Sequence, residues 1–258
     1  MGKTAVTQGN GVRAEGGDVQ SLGKQAGKLP EGIQRIVIVG AGGFAREVVR
    51  WAFDAWPSHV KKVAGFLADR PWQPEHLARQ LPVLEDPRDF EPKPGDGLLL
   101  AIGIPHVRRA VTEMLEHRGG RFLTLIHPTA IVAESAAIGQ GSVLCPFTIV
   151  SDSCTVGRFT LMNSYSSLGH DASTGAFTVL SPYATLGGAA SVADDVFLGM
   201  HAAIAPRKRV GCRCQVSANS AAMNDVPADS LVYGVPGRFA PRIDVSMSPS
   251  AEDMHPCN

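Results

Sequence analysis

A period of six governs what the second half of this chain can fold into. Stepping by six from Ile126 meets Val132, Ile138, Leu144, Val150, Val156, Met162, Leu168 and Thr174, then Leu180, Leu186, Val192, Leu198, Ile204, Val210, Val216 and Ala222. Fifteen of these 17 positions are Ile, Leu, Val or Met, and no insertion breaks the register. The next slot is mostly Gly, Ala or Ser, as at Gly139, Gly157, Gly169, Gly175, Gly187, Gly199 and Gly211. Two residues before each aliphatic the slot is small again, as at Ala130, Ala136, Ser142, Thr148, Cys154, Thr160 and Ser166. An amphipathic helix needs a period of about 3.6 and a half-buried strand a period of two, so neither explains the pattern. A triangular solenoid does: each hexad is one short flat strand and a corner, the aliphatic points inward, and the small residues permit the tight turn and close stacking of coils. Three hexads close a coil, which puts residues 18 apart directly above one another at the strand spacing of roughly 4.8 Å.

The first half reads differently. Residues 35–39 (Arg-Ile-Val-Ile-Val) form a buried strand that runs into Gly40-Ala41-Gly42-Gly43-Phe44-Ala45, followed by a helix from about Arg46 to Ala55. A second strand, Val63 to Leu67, ends at Asp69, and a third, Gly97 to Ile102, ends at Gly103. A helix from about His106 to Arg118 and a last strand lead into the repeat. Strands alternating with helices predict a small parallel α/β domain. The G-x-G-x-x-A turn at a strand–helix junction lets bare backbone approach a phosphate. It fits a nicotinamide dinucleotide, a nucleotide sugar, or a tight turn that binds nothing.

Lys plus Arg equals Asp plus Glu, 24 each, so overall charge gives no reason to expect a nucleic acid or a membrane surface as partner. No run of about 18 uncharged apolar residues exists to span a bilayer. The five cysteines lack a Cys-x-x-Cys pair, and four occupy small-residue slots of the repeat. They read as reduced, small hydrophobes of a cytoplasmic protein. The expected division is a disordered extension over 1–33, a Rossmann-like domain over 34–122, a β-helix over 123–238 and a flexible tail over 239–258.

Residues 124–238 resemble the left-handed β-helix family of hexapeptide acyltransferases. The two domains in this order resemble the sialic-acid and bacillosamine type of sugar acetyltransferases, over roughly residues 34–238. The resemblance implies a left-handed parallel β-helix that holds acetyl-CoA as acyl donor, behind a Rossmann-like domain that holds a nucleotide sugar. It also implies a homotrimer with active sites between subunits and no metal. Its acceptor is an amino group of a nucleotide-linked sugar, or alternatively a hydroxyl, as in sialic acid or polysaccharide precursors.

Acyl transfer from a thioester needs a base, an oxyanion donor and a place for CoA. The stretch Asn163-Ser164-Tyr165-Ser166-Ser167-Leu168-Gly169-His170-Asp171 resembles the family's catalytic segment. His170 stands two beyond an inward aliphatic, so it projects outward as the base, and Asp171 can bond its imidazole. Adding 18 to His170 gives Gly188, whose bare backbone leaves room for the acyl group and whose N–H can meet the oxyanion. Subtracting 18 gives Asp152, a weaker candidate. Asn163 holds a position the family uses to order the site. Arg207-Lys208-Arg209 and Arg238, in Gly234-Val235-Pro236-Gly237-Arg238, are candidates for the CoA phosphates. Gly40, Gly42, Gly43, Phe44, Asp69 and Arg108 are candidates for the nucleotide sugar. Many relatives carry His where this chain has Phe44, which leaves the acceptor open. Three histidines of the repeat, His127, His170 and His201, raise a zinc carbonic anhydrase as a rival, but 31 residues separate the last two, not 18 or 36. A nucleotide-sugar-binding protein without catalysis and an NAD-dependent oxidoreductase are two further rivals.

Overall fold

The computed structural model describes residues 28–69 and 81–242. Most of the expected extension and of the expected tail lies outside these residues. The first domain comprises β1 (Arg35–Val39), α1 (Gly43–Ala55), β2 (Val63–Leu67), β3 (Val83–Glu85), β4 (Asp96–Leu100) and α2 (Pro105–His117). All four strands are parallel, in the order β3-β2-β1-β4. Ile36 to Val39 are wholly buried, as the centre of a sheet covered on both faces requires. α1 buries Ala45, Val48, Val49 and Ala52, a stripe at helical spacing that seats it on the sheet. α2 starts on Pro105, whose missing N–H costs nothing in the first turn. The sequence reading missed β3, a three-residue edge strand with too little pattern to stand out. Two boundaries also move. Ile33 is buried and Leu29 packs against the core, so the domain begins before residue 34.

The repeat folds into three flat parallel faces. The first runs from Leu125–Ile126 through Val143–Leu144, Leu161–Met162, Val179–Leu180 and Phe197–Leu198 to Gln215–Val216 and Ser230–Tyr233. The second runs from Ile131–Val132 through Ser167–Leu168 to Ala221–Ala222, and the third from Ala137–Ile138 to Arg209–Val210. Every pairing within the hexads joins residues 18 apart, such as Ser167 with Thr185 and Leu168 with Leu186. The stepped aliphatics fill the interior: Ile138, Leu144, Leu168, Leu180, Leu186 and Leu198 are at most 1% exposed. Burying such a side chain contributes roughly 1.5–3 kcal/mol, and the prism collects one from each face of every coil. The fold is a left-handed parallel β-helix.

The corners correct one detail. The left-handed backbone falls mostly on residues with a side chain, Tyr165, Asp171 and Phe177 among them, with φ of 63°, 61° and 56°. The small residues serve coil stacking instead: a Cβ on Gly157 would lie 2.3 Å from the carbonyl of Gly175 one coil on. At the far end, Arg238–Pro241 pairs antiparallel with Ser230–Tyr233, Val232 opposite Phe239. Phe239 therefore belongs to a hairpin rather than to a tail.

The outward residues of the first face, Leu125, Val143, Leu161 and Val179, are buried under the first domain in one cluster with α1. α2 is fixed to the corner between the third and first faces. Arg109 lies 4.2 Å above the Phe177 ring and binds Asp195 at 2.7 and 2.9 Å, and Arg158 meets Glu116 at 2.6 Å. Cys145, Cys154 and Cys214 are free and buried, whereas Cys212 is disulfide-bonded, against the reduced reading. Among the described residues no helix is long and apolar enough to cross a membrane.

Candidate active site

His170 and Asp171 stand on the corner between the second and third faces. The hexad geometry turns them outward, and the His170 side chain is 73% exposed. Its Nδ1 lies 2.7 Å from Asp171 Oδ2. A carboxylate there holds the Nδ1–H tautomer, which leaves the Nε2 lone pair free. The next coil presents Gly188: an added Cβ would lie 2.6 Å from His170 Nε2. The stacking is tied by Ala189 N–H donating to the His170 carbonyl at 2.8 Å. Gly188 N–H itself has no acceptor among the described residues. An imidazole nitrogen and a backbone N–H without an acceptor among the described residues thus adjoin on neighbouring coils. Asp152, one coil earlier, accepts from Ser135 Oγ at 2.9 Å and through its carbonyl from Asp171 N–H.

Arg207 shares this corner, one coil beyond Ala189, with its N–H donating to the Gly188 carbonyl at 2.9 Å. Arg207 is exposed and Lys208 half-buried. Arg238 is exposed in the terminal hairpin, whose Gly237 N–H donates to the Ala221 carbonyl at 2.8 Å. Ala221–Ala222 is the last strand of the second face, three pairings beyond Ser167–Leu168. At strand spacing that is about 14 Å from the coil of His170. The cationic candidates therefore lie on the same corner as His170 or towards the same end of the adjoining face.

A cleft of about 790 Å3 opens between α1 and the first face. Gly43, which opens α1 after the turn from β1, and Gly103, beyond β4, both line it, and β1 and β4 are the neighbours at which the strand order reverses. Open parallel sheets receive ligands at that crevice. Phe44, Trp51, Leu161, Val179 and Phe197 supply apolar walls, while Arg46, Glu47, Arg50, Asn163 and Ser181 supply polar groups. The Phe44 ring meets Trp51 edge-on at 5.8 Å. Asn163 Oδ1 accepts from Ser164 N–H at 2.7 Å. Sequence reasoning found Gly43, Phe44 and Asn163 but missed Arg46, Glu47, Arg50, Trp51 and Ser181. A signal was present: α1 opposes its buried alanines and valines with a face mixing charges and aromatics, more than a solvated surface needs.

Two expectations fail or separate. Arg108, expected at the nucleotide sugar, is 0% exposed. Its guanidinium donates to the carbonyls of Phe159 at 2.6 Å and Ile102 at 2.7 Å, and Nη2 has no partner among the described residues. Burial pushes its pKa down to about 9. It occupies the α2 face turned to the β-helix, where the domain joint covers it, so it ties the domains together rather than touching a ligand. Asp69 is exposed at the end of β2, away from the cleft lining, and His170 does not line the cleft either. The other histidines have separate settings: His127 Nδ1 lies 2.8 Å from Thr129 Oγ1, and His201 stacks on Tyr183 at 4.8 Å. Among the described residues, no three His, Cys, Asp or Glu side chains could hold a metal ion.

The PglD N-terminal domain family matches residues 35–115. The UDP-N-acetylbacillosamine N-acetyltransferase of Bacillus subtilis is 48% identical over 46 residues, 18% of this chain, and the match spans about a fifth (21%) of that enzyme's length. Likeness in structure is far longer. The acetyltransferase domain of PglB from Neisseria gonorrhoeae, solved with acetyl coenzyme A, superposes with a TM-score of 0.70 at 27% identity, over 80% of this chain and 99% of that one. PerB from Caulobacter crescentus, solved with CoA and GDP-perosamine, gives 0.70 at 26% identity, over 80% and 97%. These matches take in the parallel-sheet domain, the β-helix and their order, and over most of its length the chain is similar in structure to sugar acetyltransferases of this two-domain build.

Proposed function

We propose that this protein transfers an acetyl group from acetyl-CoA to an amino group of a nucleotide-linked sugar, with His170 as general base. The observation that carries the reading is the His170–Asp171 pair, with its free Nε2 turned to the bare backbone of Gly188. The sugar amine attacks the thioester carbonyl carbon as Nε2 takes its proton. The new C–N bond forms, the negative charge moves to the carbonyl oxygen, and Gly188 N–H donates to it. Collapse expels the CoA sulfur, which leaves as thiol with the proton from the imidazolium. Asp171 stabilises that imidazolium. Arg207, Lys208 and Arg238 are available to the CoA phosphates, and the glycine turn with Asp69 to the nucleotide. Binding of CoA and GDP-perosamine by PerB supports both ligand classes.

The cleft and His170 occupy different corners of one chain, separated by the second face. That separation supports a homotrimer in which the corner of one subunit completes the cleft of its neighbour. An exposed ladder at the cleft's own corner supports the same reading: Phe147, Tyr165, Tyr183 and His201 stack at 4.8–5.0 Å beside exposed Ile131 and Ile149. Phe44 in the glycine turn keeps a hydroxyl acceptor as the second reading.

The test is thiol release from acetyl-CoA with UDP-, dTDP- and GDP-linked 4-amino sugars, comparing wild type with His170→Ala. Turnover on one amino sugar that falls at least ~100-fold in the variant is expected. Silence across the amino sugars, with turnover on hydroxyl acceptors, overturns N-acylation. Undiminished turnover in the variant removes His170 as base.

A further inference from the structure

The cleft holds a charged group that the acyl-transfer steps leave unused. Arg46, Glu47 and Arg50 line it from a little more than one turn of α1. Arg50 is engaged by Asp54 at 3.1 Å, whereas no side chain among the described residues pairs with Arg46 or Glu47. The two free charges have different neighbours. Arg46 folds back towards the glycine turn, with Nη2 3.6 Å from where a Gly43 Cβ would stand. Glu47 shares the cleft with Asn163 and Ser181 of the β-helix, and after burial its charge adds to the upward push on the Cys145 thiol pKa. Cys145, Asn163 and Ser181 occupy one position on successive coils, and the last two line the same cleft.

A cleft with a cation beside the glycine turn and an unpaired carboxylate one residue on complements a ligand that carries both a negative and a positive group. A nucleoside-diphosphate sugar that carries a primary amine has both: negative phosphates at one end, an ammonium on the sugar. A hydroxyl in the same place has no positive charge to offer, and cannot repay the desolvation of a carboxylate as well. We infer that Glu47 is a specificity-determining residue of the acceptor site, binding the ammonium of an amino-sugar nucleotide over the Asn163–Ser181 corner while Arg46 takes the diphosphate side. This rests on the acyl-transfer reading above and decides between its two acceptors. The bound ammonium gives one proton to water to become the attacking amine, and His170 takes the second as the C–N bond forms.

The test separates the two readings. Binding of one nucleotide-linked 4-amino sugar and of its 4-hydroxyl counterpart is measured by calorimetry without acetyl-CoA, for wild type and Glu47→Gln. The substitution is isosteric and exposed, and the fold is checked by circular dichroism. Wild type is expected to prefer the amino sugar by roughly tenfold, and the variant to lose that preference while binding the hydroxyl compound as before. In turnover the amino-sugar KM rises by the same factor, with KM for acetyl-CoA unchanged. An equal preference in wild type and variant, or no preference in wild type, overturns the role of Glu47 even if acetyl transfer is observed. A preference that the variant loses supports it even if no transfer is found, in which case the transfer reading alone falls.

Discussion

Gly188→Ala separates the chemistry of this corner from its stability. The added Cβ would lie 2.6 Å from His170 Nε2, 2.8 Å from Cε1 and 3.2 Å from Cδ2. Ordinary contacts between such atoms are about 3.5–4.0 Å, so the ring must retreat by roughly 1 Å. It has somewhere to go, because the side chain is 73% exposed. Retreat strains or breaks the 2.7 Å bond to Asp171, an exposed pair worth about 0–1 kcal/mol. Gly188 has no left-handed φ, and replacing Gly by Ala on permissive backbone returns about 0.4–1 kcal/mol through the unfolded chain. Net stability should move by less than ~1 kcal/mol. Activity should not be spared, since a displacement of about 1 Å costs on the order of 100-fold, and the methyl also fills the space proposed for the acyl group.

The measurement is a thermal melt alongside thiol release, on Gly188→Ala, His170→Ala and the double variant. Expected are melting temperatures within a few degrees of wild type, turnover down by about 100-fold or more in each single variant, and a double variant little worse than either. Gly157→Ala is the contrast. Its Cβ would meet the Gly175 carbonyl at 2.3 Å, backbone that cannot swing away, so it should lose about 1–3 kcal/mol and keep its activity per folded molecule. A well-folded Gly188→Ala protein with turnover near wild type would refute the pairing of Gly188 with the base.

Three further outcomes concern the rest of the molecule. Arg108→Ala should destabilise by about 2–5 kcal/mol, because it empties a fully buried site and strips donors from the Phe159 and Ile102 carbonyls; nucleotide affinity measured below the melt should hold, whereas a ligand contact would give the reverse. Burial raises the Asp96 pKa, but bonds from Arg35 at 2.7 and 2.8 Å and from Lys93 N–H outweigh it and hold it below the ordinary carboxylate value. Its contribution, about 1–3 kcal/mol, is therefore present above pH ~3.9 and lost as pH falls through the lower folded value, so urea melts of wild type and Asp96→Asn should converge only in acid. Tyr183→Glu puts charge into the exposed ladder and should shift a trimer to monomer in sedimentation, with the β-helix circular dichroism retained.

The two halves of the site differed in how far the sequence disclosed them, and the reason is geometric. In the β-helix each residue's neighbours are 18 positions away, so spatial adjacency is arithmetic along the chain. His170, Gly188 and Arg207 could be put on one corner from numbers alone, and the pairings repeat that interval without exception from Leu125 to Ala222. Arg108 illustrates the opposite case. Its position five beyond Gly103 says that it is near the glycine-turn end of the sheet, but not which side of α2 is covered. That depends on the docking of α2 against Phe159 and Phe177, residues 51 and 69 positions away in an unrelated fold. The same holds for Glu47 and Trp51, whose helix was legible while the surface facing it was not.

This difference bears on how the activity can be tuned. His170, Asp171 and Gly188 lie within one repeat architecture, where any shift of register would move all of them together. On the proposed reading acceptor choice rests instead on the α1 side of the cleft, in a domain that α2 holds to the β-helix through Arg109 on Asp195 and Glu116 on Arg158. Those bonds lie on the corner between the third and first faces, a full face away from His170. If α1 selects the sugar as proposed, substitutions along it should change which sugar is admitted without touching the His170 corner. A substitution that weakens these surface anchors of α2 should act differently from either, raising KM for the nucleotide sugar while leaving KM for acetyl-CoA in place, because in the proposed arrangement only the first ligand sits between the domains. Asp195→Asn, which weakens the Arg109 anchor without emptying a core site, is the variant in which to look for that split; equal changes in both constants would mean that the cleft does not depend on α2.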